Sequence, residues 1–268
     1  MEVVHSVYNY KKSRDRIDSI LKDESDTFIE NNNKFPSESL LRFNGGRKVN
    51  IDVIAVDIRQ STLLSELLSE NRISILTKIY RAYISEVIAV MKSNENIQRV
   101  YIEGDGIWAV FESNDNSYWV FDTAVKISSI VETINSKLRD MDYPNIKIGI
   151  GLERGKSFYV KAGYKGTGIN QEVWVGNIVN KAFKLCSLAN KGKIKELVVS
   201  KNMYQALEEK EKKRLKYNRK EDIYHTRLVD ADMKDWLKKN SSTYMSCTTN
   251  YCYYKVEKEE KKKWFGIW

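Results

Sequence analysis

Residues 50–58 read Asn-Ile-Asp-Val-Ile-Ala-Val-Asp-Ile and are apolar on both faces for most of their length. A strand of that kind is central in its sheet, because both faces must be covered by other layers. The chain after it is helical in pattern. Thr62 is the expected N-cap. Leu64, Leu67 and Leu68, then Leu76, Ile79, Tyr83, Ile84, Val87, Ile88 and Met91, recur at helical spacing, with a break near Ser69 to Arg72. Two short apolar runs, 98–102 and 107–112, are joined by Glu103-Gly104-Asp105-Gly106, a hairpin signal.

A second long helix is predicted from about Ser117 to Arg139, with Pro144 just beyond its end. Ile146, Ile148, Ile150 and Leu152 alternate strictly, as in a half-buried strand. Strands over 157–161 and 171–175 are separated by a turn rich in glycine. A helix from about Asn177 to Ala189 follows, then a strand over Lys195 to Val199, a helix over Met203 to Leu215 and a last strand over Ile223 to Val229. This order defines an α/β (α+β sandwich) chain with a mixed sheet and flanking helices. Ahead of it, residues 8–23 read as a charged helix, Asn31 to Asn33 with Pro36 as a loop, and Gly45-Gly46 as a second break. The expected organisation is therefore an N-terminal helical segment and linker over 1–46, a main domain over 47–230 and a C-terminal tail over 231–268. In that tail Tyr, Trp and a Lys/Glu run replace the core pattern.

Composition narrows the chemistry. The 268 residues hold two histidines, His5 and His225, and three cysteines, Cys186, Cys247 and Cys252. No paired Cys/His ligand spacing exists, so a zinc finger or three-His zinc site is excluded. A Ser-His-Asp triad would have to use His225, which has no supporting motif. Metal chemistry here must rest on carboxylates, which favours magnesium or manganese. Scattered cysteines without a disulfide framework point to a reducing, cytoplasmic setting. No apolar run long enough to span a membrane occurs. The net charge of +9 suits a polyanionic small molecule as well as nucleic acid. Its Lys210 to Lys220 and Lys261 to Lys263 stretches are interleaved with Glu, so they read as solvated faces and no nucleic acid partner is expected.

Three segments carry candidate chemistry. Asp57 ends the apolar strand and Asp105 sits at the hairpin tip. A strand-end Asp of this kind is costly to bury unless it is paired or binds a cation. The long crossover between them can set strand beside hairpin, so that both carboxylates converge and could hold two divalent ions over a nucleoside triphosphate. Arg59, Gln60, Ser61 and Thr62 form a turn into a helix whose backbone N–H groups could face phosphates. Asn180 and Lys184 lie four apart on one helical face, an amide and a cation suited to a ribose and a phosphoryl transition state.

Together these segments resemble the class III nucleotide cyclase catalytic domain, with its palm-like mixed sheet, over about residues 48–230. Val-Asp-Ile-Arg-Gln-Ser-Thr is similar to the family's first metal motif, Glu-Gly-Asp-Gly-Ile-Trp-Ala-Val-Phe to its Gly-Asp hairpin, and Gly-Asn-Ile-Val-Asn-Lys-Ala-Phe-Lys-Leu to its Val-Asn…Ala…Arg helix. The resemblance implies two Mg2+ or Mn2+ ions held by Asp57 and Asp105, with the Ile58 carbonyl as a further ligand. It implies that Asn180 orients the ribose and that Lys184 stands where the family has its transition-state Arg. It also implies a head-to-tail homodimer, with Asp57 and Asp105 of one chain facing Asn180 and Lys184 of the other.

The departures from the family pattern concern the base. Where purine cyclases carry Lys or Glu four residues before the second metal Asp, this chain has Tyr101. Where a second polar reader stands seven residues before the helix Asn, it has Val173, which has no hydrogen-bonding group. A tyrosine there shrinks the space and offers a ring to stack on, which fits a pyrimidine better than a purine. This profile resembles the bacterial anti-phage Pycsar pyrimidine cyclases, which implies a separate effector responding to the cyclic nucleotide. The expected reaction is UTP to 3′,5′-cyclic UMP and pyrophosphate. Cytidylate cyclase is the next reading, then adenylate or guanylate cyclase, then a catalytically dead regulator on the same fold.

Overall fold

The computed structural model describes residues 7–24, 27–30, 35–37, 39, 41–68, 72–113 and 117–240. In chain order the elements are α1 (Tyr10–Leu21), β1 (Thr27–Glu30), β2 (Gly45–Ile58), α2 (Ser61–Leu67), α3 (Ile73–Lys92), β3 (Ile97–Glu103) and β4 (Gly106–Glu112). Then come α4 (Tyr118–Asp140), β5 (Ile148–Gly163), β6 (Asn170–Val175), α5 (Ile178–Leu188) and β7 (Leu197–Val199). The described chain closes with α6 (Lys201–Gln205), α7 (Glu209–Lys212), β8 (Lys216–Asn218), β9 (Ile223–Thr226) and α8 (Ala231–Asn240). Two compact units emerge, one of Met1–Ile51 with Gly155–Ile178 and one of Asp52–Arg154 with Val179–Trp268. The long strands β2 and β5 contribute to both.

The larger unit is built on a sheet of order β3-β4-β2-β5-β7-β9-β8. β3 and β4 form an antiparallel hairpin in which Tyr101 faces Trp108 and Glu103 faces Gly106. β5 and β7 are parallel, whereas β9 runs antiparallel to both β7 and β8, so the sheet is mixed as expected. One face carries α3 and α4. Ile79, Tyr83, Val87 and Met91 of α3 and Ile127 and Val131 of α4 pack on Ile54, Val56, Ile107, Ala109, Ile148 and Ile150. The opposite face receives Leu185 and Ala189, which cluster with Val198 and Ile223. Burial on both faces is what the apolar run 50–58 predicted for its strand.

The smaller unit pairs β1 in parallel with the start of β2, Thr27 opposite Gly45, and β6 antiparallel with the end of β5, Val173 opposite Val160. Phe35, Tyr159 and Trp174 pack ring against ring, with Tyr159 fully buried. α1 is capped by the Asn9 side chain, which accepts from the Lys12 N–H, and has no buried residue.

Several expected boundaries shift for local reasons. Gly45-Gly46 is not a break but the start of β2. A Cβ at Gly45 would lie 2.7 Å from Thr27 O, and one at Gly46 would lie 2.7 Å from Val160 Cγ1. Glycine marks close approach here, not a turn. The strand expected over 157–161 is the continuation of the one before it, in a single β5. The helix expected over Met203 to Leu215 is two short ones. Ser200 caps α6 by accepting from the Met203 N–H, and Leu207 turns into the core between α6 and α7. The last strand stops at Thr226, and β8, which the sequence pattern did not indicate, supplies its second partner. α8 lies where the tail was expected to begin, and its Leu237 is buried. The aromatic and Lys/Glu tail of 241–268, the Asn31–Asn33 loop and two of the three cysteines lie outside the described residues. No helix among the described residues is long and apolar enough to cross a membrane.

Candidate active site

Asp57 emerges half-buried at the end of β2, next to fully buried Ile58. Asp105 sits in the Gly104-Asp105 turn of the β3–β4 hairpin, where Gly104 adopts φ +66°. The sheet order puts β4 beside β2, so the turn comes down on the strand end. The Asp105 carboxyl lies close enough for its charge to act on that of Asp57. Burial, and then the Asp105 charge, push the Asp57 carboxyl up to about 6, against the opposing pull of Arg59. The Asp105 Oδ2 atom is buried without a hydrogen-bond partner.

The surroundings compensate only partly. Arg59 Nη2 lies 2.6 Å from Asp57 Oδ2, and Nη1 donates to the Ser187 carbonyl at 3.3 Å. Its Nε is buried without a partner. One guanidinium is thus shared between a carboxylate and a backbone carbonyl. Beneath them Tyr83 is fully buried. Its hydroxyl has no partner, and its pKa is driven well above the ordinary value by burial and by the Asp57, Cys186 and Asp105 charges. The Cys186 thiol, raised to about 12 by burial, donates to Gly149 O at 3.2 Å.

This arrangement fits an oxygen-seeking cation. An orphaned carboxylate oxygen beside a second carboxylate is a donor set in need of positive charge. Among the described residues no group of three or more His, Cys, Asp or Glu side chains converges. An ion held by two carboxylates would complete its shell with water and phosphate oxygens, the habit of Mg2+.

The turn after Asp57 differs from expectation. The N-cap position of α2 is Gln60, not Thr62, and Gln60 is left-handed, with φ 60° and ψ 35°. The tight reversal from β2 into α2 holds Gln60 in a region that residues with side chains rarely adopt. The Arg59 N–H is donated to Lys147 O at 2.7 Å, so it does not face outward as the sequence reading expected. Gln60 and Thr62 are exposed and Ser61 is half-buried, its carbonyl accepting from Ser65 Oγ.

α5 carries Asn180 and Lys184 on an exposed face, while Ala182, Leu185 and Cys186 are buried. Its backbone comes directly against the glycines of β5. A Cβ at Gly151 would lie 2.1 Å from Ala182 O, and one at Gly149 would lie 2.5 Å from Cys186 O. The Ile-Gly-Ile-Gly-Leu alternation of β5 therefore fills one face of the sheet and empties the other.

Tyr101 stacks on Trp108 across the hairpin, ring centroids 4.0 Å apart and planes 17° off parallel. Trp108 also meets Phe183 of α5 edge-on at 6.4 Å. Val173 lies half-buried on β6 in the smaller unit. Sequence reasoning placed Tyr83 in a helical stripe but not at the site, and overlooked the stacking of Trp108 on Tyr101. The latter was recoverable: a two-residue turn at Gly104-Asp105 fixes the register that sets position 101 against 108.

A mixed sheet with two strand-end carboxylates beside a polar helix has known counterparts. Residues 45–245 match the family described as the adenylate and guanylate cyclase catalytic domain, and the chain belongs to that family. A uridylate cyclase of Treponema porcinum is 32% identical over 238 residues, covering 87% of this chain and 82% of the relative. A uridylate cyclase of Gulbenkiania mobilis is 34% identical over 213 residues, covering 76% and 81%. Among solved structures, the guanylyl cyclase Cya2 superposes with a TM-score of 0.57 at 18% identity, over 69% of this chain and 95% of that one. The adenylyl cyclase CyaB from P. aeruginosa gives 0.57 at 18%, over 70% and 98%. The expected class III cyclase fold is borne out.

Proposed function

We propose that this chain converts UTP to 3′,5′-cyclic UMP and pyrophosphate. The observation that carries the reading is the Asp57–Asp105 pair, two neighbouring carboxyl groups with one buried oxygen left without a partner. The choice of uracil is supported by the two uridylate cyclase relatives and by Tyr101 in the place of a purine reader.

In this reaction the ribose 3′ oxygen bonds to the α-phosphorus, the α–β bridging bond breaks, pyrophosphate leaves and the hydroxyl proton passes to solvent. Asp57 and Asp105, with the Ile58 carbonyl, would hold two Mg2+ or Mn2+ ions. Bound there, such ions lower the pKa of the 3′ hydroxyl and neutralise the phosphates. The exposed face of α5 presents Asn180 to the ribose oxygen and Lys184 to the charge that grows on the phosphoryl oxygens. The N–H groups of Gln60, Ser61 and Thr62 face the triphosphate. Two chains head to tail would complete each site. The resemblance to the Pycsar cyclases supports a cytoplasmic second-messenger role in anti-phage defence, read by a separate effector.

The test is one incubation with Mn2+ and each of ATP, GTP, CTP and UTP, products resolved by mass. Cyclic UMP as the main product is expected. Cyclic CMP alone would move the assignment to the other pyrimidine, and cyclic AMP or GMP alone would overturn the reading of Tyr101. No cyclic product from any of the four would leave a cyclase fold without the activity.

A further inference from the structure

Tyr101 does not stand alone. Its ring lies on the indole of Trp108, which is 5% exposed and directly opposite in the hairpin register. Trp108 is fixed at two other edges. Its Nε1–H donates to Glu103 Oε1 at 3.1 Å, and its ring meets Phe183 at an interplanar angle of 71°. Phe183 precedes Lys184 and lies one helical turn after Val179, the neighbour of Asn180. Trp108 thus joins the tyrosine of β3 to the helix that carries the amide and the ammonium.

We propose that Trp108 is a positioning residue for nucleobase selection, holding the Tyr101 ring as a fixed wall that admits a single-ring base and turns away a double-ring one. This rests on the cyclase reading above and extends it to a residue that does not itself meet the substrate. A side chain excludes a larger ligand only when it cannot rotate away, because a free rotamer change is cheap. Stacking on a buried indole, itself tethered by a hydrogen bond and an edge contact, removes that freedom from Tyr101. Glu103 therefore acts at one further remove, by orienting the indole.

The experiment compares equilibrium binding of 3′-deoxy-UTP and 3′-deoxy-ATP, which lack the attacking hydroxyl, to the full chain with Mn2+ by calorimetry. Turnover of UTP and ATP is measured in parallel. The wild type favours the uridine analogue. In Trp108→Leu that preference falls about tenfold, through tighter adenosine binding, whereas Trp108→Phe keeps it within about threefold. Glu103→Ala, an exposed position that leaves the core untouched, lowers it about threefold. A Trp108→Leu variant that melts like the wild type and keeps its base preference overturns the inference. If that variant does not fold, an unchanged preference in Glu103→Ala overturns it instead. A wild type that prefers the adenosine analogue sinks the pyrimidine reading itself, a different result from either variant outcome.

Discussion

β2 carries two aspartates five residues apart, Asp52 fully buried and Asp57 half-buried. Burial raises both carboxyls to about 6, and each has an arginine within reach, Arg154 for Asp52 and Arg59 for Asp57. Asp52 is otherwise surrounded by donors. Ser117 Oγ donates to it at 2.8 Å and Ser113 Oγ at 3.2 Å, and Arg154 Nη1 ties Ser117 into the same network. Asp57 instead faces a second carboxyl. A buried acid given donors is a closed structural joint, whereas one given another acid is an unfinished site that calls for a cation.

The sharpest way to break this contrast is to remove the unfinished pair. Asp57→Ala or Asp105→Asn should cut cyclic nucleotide formation about a thousandfold without lowering the melting temperature. Substantial turnover by either variant would dissolve the two-metal assignment. Lys184→Ala should lower kcat about a hundredfold, with Lys184→Arg restoring most of it, in steady-state assays with UTP. Proton competition sharpens the same contrast. Because Asp57 keeps its proton up to about pH 6, Mn2+ affinity by calorimetry should weaken about tenfold per unit below that pH.

Asp52 should behave oppositely, affecting stability and not chemistry. Its folded pKa lies above its unfolded one, so its contribution to stability is present at acid pH and lost as pH rises through about 6. The unfolding free energy of the wild type minus that of Asp52→Asn should therefore fall by about 2 kcal/mol between about pH 4 and pH 7. Denaturant titrations at both ends measure it, and a flat difference would count against the buried-acid account. The smallest effect concerns the turn beyond Asp57. Gln60→Gly should raise stability by up to about 1 kcal/mol by relieving the left-handed residue, visible as a small rise in melting temperature.

What could be read beforehand was periodic or local. The two-sided apolar run, the helical stripes through Tyr83 and Ile127, and the Gly-Asp hairpin all announce themselves by spacing. Asp57, Asp105 and the Asn180–Lys184 face were reached through those elements. What escaped depends on partners distant in the chain. Four-residue β1 is exposed throughout and exists by pairing with β2, so its own residues carry little signal. Gly45-Gly46 looked like a break because their reasons, Thr27 and Val160, lie elsewhere in the sequence. Arg59 sat in plain view within a motif. Its bond to Ser187 spans 128 residues, beyond any local pattern.

The bare glycine track of β5 has a mechanical consequence. At Gly151 the backbone of Ala182 and Cys186 meets the strand directly, and at Gly149 the Cys186 carbonyl is joined by Ala189 Cβ and Arg59 Nε. A helix seated that way has little room to shift toward the strand. The amide protons of the strand under it and of the helix turn above it should then exchange with solvent in one shared opening event. Asn180 and Lys184 ride on that turn. Their aim is set by two hydrogen atoms on the strand below, in a place where any larger substituent would act as a wedge.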